Sequence, residues 1–286
     1  MQHPWTRYVA IGDSFTEGVG DPEPSLPNGW RGWPDRVAEE LAKSSPGFAY
    51  ANLAIRGRLL GQIMDEQIDA ALEFEPDLVS ISGGGNDLLR PGGDPDRVAE
   101  QFETAIERLS SRGATVVMFN GPDIDGTPVL RRIRGRVGIY NSNLNSLAHR
   151  HDAVVVDMWG AKELQAKPMW SNDRLHFSAL GHHTIARLVL DALGVEHSLR
   201  PMKPEPLPAQ SWTNARTDDI VWAREHLVPW VVRRIRGRSS GDTVSPRIPA
   251  PAPYPTVISG TDMPPEEEAQ PNTPGERADR GDASGS

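Results

Sequence analysis

A serine, an aspartate and a histidine stand at spacings suited to nucleophilic acyl transfer. Ser14 follows Gly12-Asp13 at the end of a short apolar run, and Gly12 can turn the chain sharply there. A serine hydroxyl is a weak nucleophile at neutral pH and needs an adjacent base. His176 is the candidate base, taking the hydroxyl proton and later returning it to a leaving group. Asp173, three residues earlier, would fix the imidazole tautomer and stabilise its cation. Attack on an ester builds negative charge on the carbonyl oxygen, so N–H donors must face it. Two further stretches offer them: 52–57 ends in Gly57, whose backbone can approach a ligand closely, and 83–87 sets the Asn86 amide beside three glycines.

These stretches need a scaffold that gathers them. Apolar runs of strand type recur at 8–11, 49–53, 78–81, 115–119 and 154–157, with helical periodicity over 34–41, 60–72, 94–112, 130–150 and 178–193. Pro34 suits a first helical turn, Asp94-Pro95 a helix start, Ser178 a cap, and Gly113 and Gly194 helix stops. Strand and helix alternating in this way predict a parallel sheet with helices on both faces. The expected catalytic domain is therefore a three-layer α/β/α (flavodoxin-like) unit with a central five-stranded parallel sheet over residues 1–195. The chemical residues then fall at strand ends or just before the last helix, the edge where open α/β sheets bind ligands.

Taken together, these blocks resemble the SGNH hydrolases, the GDSL-type esterases, across roughly residues 5–195. Ser14, Gly57, Asn86 and His176 match the four family blocks in order, and the Asp173-x-x-His176 spacing matches as well. Phe15 stands where the short motif usually has leucine, an apolar exchange that leaves the chemical groups alone. The resemblance implies that Ser14, Asp173 and His176 are catalytic, and that the Ser14 N–H, the Gly57 N–H and the Asn86 side chain form the oxyanion hole. It implies hydrolysis of a small-molecule or lipid-like carboxylic ester through an acyl-serine, without metal or other cofactor. The same machinery would serve a thioesterase, a lysophospholipase or a carbohydrate O-deacetylase. From a different class, the alternative is a catalytically silent binding protein.

Weaker expectations attach to neighbouring residues. Asn120 and Trp170 are placed at the pocket wall, and Asp13 and Asp87 are read as holding their turns through Asx-type hydrogen bonds. Arg56 and Arg58 are read as surface salt-bridge formers, with steering of an acidic substrate, by Arg58 above all, as the second role. His182-His183 has no third ligand nearby in the helix and is read as a solvated pair rather than a metal site.

Composition bounds the rest. There are no cysteines, which excludes disulfides, a thiolate nucleophile and Cys-ligated zinc, and the net charge of −9 disfavours a nucleic-acid partner. Without an apolar run long enough for a signal peptide or a membrane span, a soluble cytoplasmic protein is expected. After residue 195 come a proline-rich connector (196–216), an amphipathic helix (217–238) and an acidic Pro/Gly/Ser-rich tail (239–286) expected to be disordered. The helix carries Trp222 and Trp230 and ends in Arg233, Arg234, Arg236 and Arg238, which suits either packing on the catalytic domain or peripheral membrane contact. Gly237 to Gly241 spells the G-x-S-x-G of a nucleophile elbow, but a helix precedes it and a proline-rich tail follows, the wrong context for an elbow.

Overall fold

Tyr8 to Ile11 are buried along their whole length, as a strand in the middle of a parallel sheet must be, and β1 (Arg7–Ile11) takes that central place. The computed structural model describes residues 3–126, 130–203, 222, 224 and 239–254. β1 pairs in parallel with β2 (Ala49–Asn52) and β3 (Leu78–Ile81), and β4 (Thr115–Phe119) and β5 (Val154–Val156) continue the parallel ladder beyond β3. β6 (Ile248–Pro253) runs antiparallel along β2, giving the order β5-β4-β3-β1-β2-β6.

The sheet is therefore mixed and has six strands, where the sequence pointed to five parallel ones ending in a domain at 195. The sixth comes from the stretch expected to be a disordered tail. Pro249, Pro251 and Pro253 lack an N–H, but an edge strand tolerates them because one of its sides carries no ladder. What fixes the segment is its flanks. The buried Arg247 guanidinium holds both carboxylate oxygens of the buried Asp35 at 2.5 Å and donates to the Trp30 carbonyl at 2.8 Å, and the Tyr254 ring meets Tyr50 edge-on at 5.8 Å.

Helices cover both faces. α2 (Trp33–Ala42) and α8 (Ala179–Ala192) pack on Tyr8, Tyr50, Val117 and Phe119, while α6 (Pro95–Ser110) and α7 (Arg134–His151) pack on Val9, Val79, Ile81 and Met118. The local signals act as they read: the Asp94 carboxylate accepts from Asp96 N–H at 3.0 Å, the Ser178 hydroxyl accepts from Gly181 N–H at 3.2 Å, and Gly113 and Gly194 take positive φ just past their helices. The segment 60–73 is interrupted: α3 (Leu60–Ile63) and α4 (Asp69–Glu73) are joined by a π-helical stretch, Met64–Ile68. Among the described residues no helix is long and apolar enough to cross a membrane. The helix expected at 217–238 lies outside the described residues apart from Trp222 and Arg224, as does everything after 254.

His182 corrects the reading of a solvated pair. Its position falls on the stripe with Ile185, Ala186 and Val189, so the helical period carries it inward, and it is fully buried. Nδ1 accepts the Trp33 N–H at 3.2 Å and Nε2 faces the Val19 carbonyl at 3.3 Å, the pattern of a neutral ring protonated on Nε2. Burial, reinforced by the Arg36 and Arg247 cations and by His176, pushes its pKa down to about 3, against the partial opposition of the Val19 bond. Below the ordinary histidine value of about 6.5 the unfolded chain binds a proton that the folded one refuses, so stability falls as pH falls from there towards 3. Between pH 7.5 and 4.5 this residue should remove about 2–3 kcal/mol. Urea midpoints of wild type and His182→Gln at both pH values check it; an equal pH-dependence in the two proteins contradicts the assignment.

Candidate active site

Ser14 opens α1 (Ser14–Glu17), directly after β1. The turn that delivers it is tight: a Cβ on Gly12, at φ +152°, would come within 2.8 Å of both Ser82 and Thr16. The side chain of Gln67, buried in the π-helical stretch, grips the same glycine from both sides, accepting from its N–H at 2.8 Å and donating to its carbonyl at 2.9 Å. Asp13 caps α1 by accepting the Phe15 N–H at 3.1 Å. The Phe15 ring turns into the core against Trp33, Phe119 and Phe177.

The loop before α8 reaches Ser14 from 162 residues away. His176 Nε2 lies 3.0 Å from Ser14 Oγ, and Nδ1 lies 2.5 Å from Asp173 Oδ2. The other carboxylate oxygen, Oδ1, accepts the Ser171 hydroxyl at 2.6 Å and the N–H groups of Leu175 and His176 at 2.9 and 3.0 Å. Burial alone would raise the Asp173 carboxyl; the hydrogen bond and charge of His176, with Ser171 and the His176 N–H, outweigh it and hold the group well below the usual carboxylate range. A permanent carboxylate here keeps the imidazole protonated on Nδ1, leaving Nε2 free to accept from Ser14.

Block three closes against block one. Asn86, in α5 (Gly85–Leu88), donates its side-chain amide to Asp13 Oδ2 and to the Arg58 carbonyl, both at 3.0 Å. Asp87 reaches across to the Leu60 N–H at 3.0 Å rather than bonding only within its own turn. Gly84 allows this approach: at φ +86°, it faces the Tyr140 hydroxyl, which a Cβ would meet at 2.5 Å.

Block two departs most from the sequence reading. Arg56 is no surface group: its guanidinium and N–H bind the carboxylate of the fully buried Glu17 on α1, with the N–H bond at 2.7 Å, and it lies 5.8 Å over the Trp30 ring. Arg58 pairs its guanidinium with Glu66 at 2.7 Å and Asp242 at 3.5 Å, the salt-bridging role that its sequence position suggested first. Gly57 sits at φ +77° with Ser239 packed against it.

A cavity of about 230 Å³ opens beside Ser14, His176 and Asn86. Asn120 and Trp170 both line it. Asn120 is locked by Asp157 at 2.7 Å and the Trp159 N–H at 3.0 Å, and Trp170 by the Leu164 carbonyl at 2.8 Å and a stack on Phe177 at 4.5 Å. The remaining wall is largely apolar, with Leu89, Ile124, Leu130, Ile133, Val137 and Leu175 among its residues. Among the described residues, Glu103, Glu107 and His151 on α6 and α7 form the group spaced for a metal; Glu103 is already engaged by Arg150 at 2.8 Å and His151 at 3.0 Å.

Glu17, Gln67 and Tyr140 escaped the sequence reading. A buried polar residue within an apolar helical stripe, as Gln67 is, was the one usable signal; Glu17 carries none, because its partner is 39 residues away. Trp222 also reaches the site, donating to the Asp173 carbonyl at 2.8 Å while its ring lies 5.0 Å under the Arg174 guanidinium.

Comparison with known proteins places this geometry. The model of the GDSL-like lipase/acylhydrolase family matches residues 10–184. The uncharacterized protein YpmR of Bacillus subtilis (strain 168) is 26% identical over 216 residues, covering 66% of this chain and 81% of that protein. Among solved structures, the acetylxylan esterase Axe2 from Geobacillus stearothermophilus superposes with a TM-score of 0.57 at 22% identity, covering 67% of this chain and 95% of that one. The lipase/acylhydrolase from Enterococcus faecalis gives 0.54 at 21%, covering 69% and 99%. At these identities the two structures establish a shared fold.

Proposed function

The chain belongs to the GDSL-like lipase/acylhydrolase family, and we propose that it hydrolyses carboxylic esters of apolar acyl groups through an acyl intermediate on Ser14. One observation carries this reading: Ser14 Oγ, His176 and Asp173 form a continuous hydrogen-bonded line, at 3.0 and 2.5 Å, beside an apolar cavity. Ser14 Oγ attacks the acyl carbon as its proton passes to His176 Nε2; the imidazolium is held by Asp173. The oxyanion is received by the Ser14 and Gly57 N–H groups and by Asn86, whose amide exchanges its bond to Asp13 or Arg58 for one to substrate. His176 then protonates the leaving alkoxide, and water, activated by the same imidazole, releases the acid.

The wall supports an acyl chain over an acetylated sugar, which would need polar partners for its hydroxyls. A series of p-nitrophenyl esters tests this. Each buried methylene contributes up to about 0.8 kcal/mol, so kcat/KM should climb severalfold per carbon from acetyl until the chain fills the cavity. A preference for acetyl over hexanoyl contradicts the apolar-acyl reading. Trp222 is buried against the base-bearing turn, which supports contact of this residue with the domain over contact with a membrane.

A further inference from the structure

The turn 56–58 is held from two sides. Glu17 grips Arg56 from the nucleophile helix. The other grip comes from the segment 239–247, outside the family-matched residues. Ser239 Oγ donates to the Arg56 carbonyl at 3.2 Å and accepts from Gly241 N–H at 3.1 Å, while Asp242 accepts the Ser239 N–H at 2.9 Å and pairs with Arg58 at 3.5 Å. The fit is close: a Cβ on Gly57 would lie 2.1 Å from Ser239 Oγ, and one on Gly241 would lie 2.1 Å from the Arg56 carbonyl oxygen. Downstream the segment is anchored by Ser245, whose carbonyl accepts Asn28 at 3.1 Å, by the buried Arg247–Asp35 pair, and by the β6 ladder.

We propose that residues 239–247 are a strap that sets the oxyanion hole, with Ser239, Gly241 and Asp242 as positioning residues. The inference rests on the hydrolase reading above, in which Gly57 and Asn86 are oxyanion donors. Both hang on this turn: Gly57 belongs to it, and Asn86 donates to the Arg58 carbonyl. A strap that holds the Arg56 carbonyl and pairs with the Arg58 guanidinium therefore sets the turn that carries one of the three donors and meets a second. Misplacing such a donor by about 1 Å costs on the order of a hundredfold in rate without touching the acyl pocket.

Gly241→Ala in the full-length chain tests this, because its methyl must push the Arg56 carbonyl away. On a p-nitrophenyl ester kcat should fall about ten- to a hundredfold with KM within about twofold. Asn86→Ala alone should lower kcat about a hundred- to a thousandfold, and the double variant should fall below Asn86→Ala by less than the full Gly241→Ala factor, since Gly57 is still misplaced while the effect through Asn86 is already lost. Ser239→Ala, which adds no bulk, should lower kcat at least about threefold in the same KM-independent way and decides the matter if Gly241→Ala does not fold. Thr243→Ala, exposed on the same segment, should match wild type. Unchanged kcat in folded Gly241→Ala and Ser239→Ala, or full additivity with Asn86→Ala, overturns the strap. A wild type without turnover, or an active Ser14→Ala, instead overturns the hydrolase reading beneath it.

Discussion

Ser14→Ala is expected to lower kcat on a p-nitrophenyl ester by a factor on the order of 10⁶ while the urea midpoint stays close to that of wild type. The hydroxyl is the atom His176 Nε2 faces, at 3.0 Å, so its loss removes both the nucleophile and the proton that the imidazole takes. The surroundings do not depend on it. The turn is held by Gln67 on Gly12 and by Asp13 on Phe15, neither of which touches the Ser14 side chain, and a methyl replaces the hydroxymethyl without strain. Some acceleration over water should survive, because oxyanion donors and binding still act when a triad member is missing. Steady-state kinetics on protein freed of trace wild type gives the measurement; a loss below about a hundredfold means that another group attacks the ester.

Asp173→Asn should cost about 10⁴ in kcat, with KM little changed. The local hydrogen bonds decide which way the new amide points. Oδ1 accepts three donors, from Ser171, Leu175 and His176, so the amide oxygen must stay there. Its NH₂ is then forced onto His176 Nδ1, at the place of the 2.5 Å contact. Nδ1 must accept, the ring proton moves to Nε2, and Nε2 can no longer receive the proton of Ser14. The loss is thus a tautomer effect and leaves the apolar cavity intact. A fall of less than about tenfold would show that Asp173 has only a structural part in the loop.

The sheet and most of the site were legible because their signals are local. A four-residue apolar run bounded by glycine, as at 8–12, is a buried parallel strand, and Asp94-Pro95 and Ser178 carry their helix starts in their own side chains. Ser14, Asn86, Asp173 and His176 were identified from the blocks in which they stand, and the fold brings these blocks to one edge of the sheet. What failed to show were partners far apart in sequence. Arg56 reads as a surface cation until Glu17 is seen buried beneath it, and the stretch 248–253 reads as a proline-rich tail until Arg247, 212 residues from Asp35, is seen to bury its charge there. His182 differs: its residue type suggests solvent, while its period with Ile185 and Val189 places it on the buried stripe, and the period prevails.

The most direct test of the chemistry is the intact mass of the protein after treatment with a fluorophosphonate, followed by mapping of the modified peptide. A serine activated by its neighbouring imidazole displaces fluoride and keeps the phosphonyl group. The expected result is one adduct on Ser14, formed rapidly by wild type and lost in His176→Ala. An unmodified protein, or an adduct at Ser239 with Ser14 untouched, would contradict an activated Ser14.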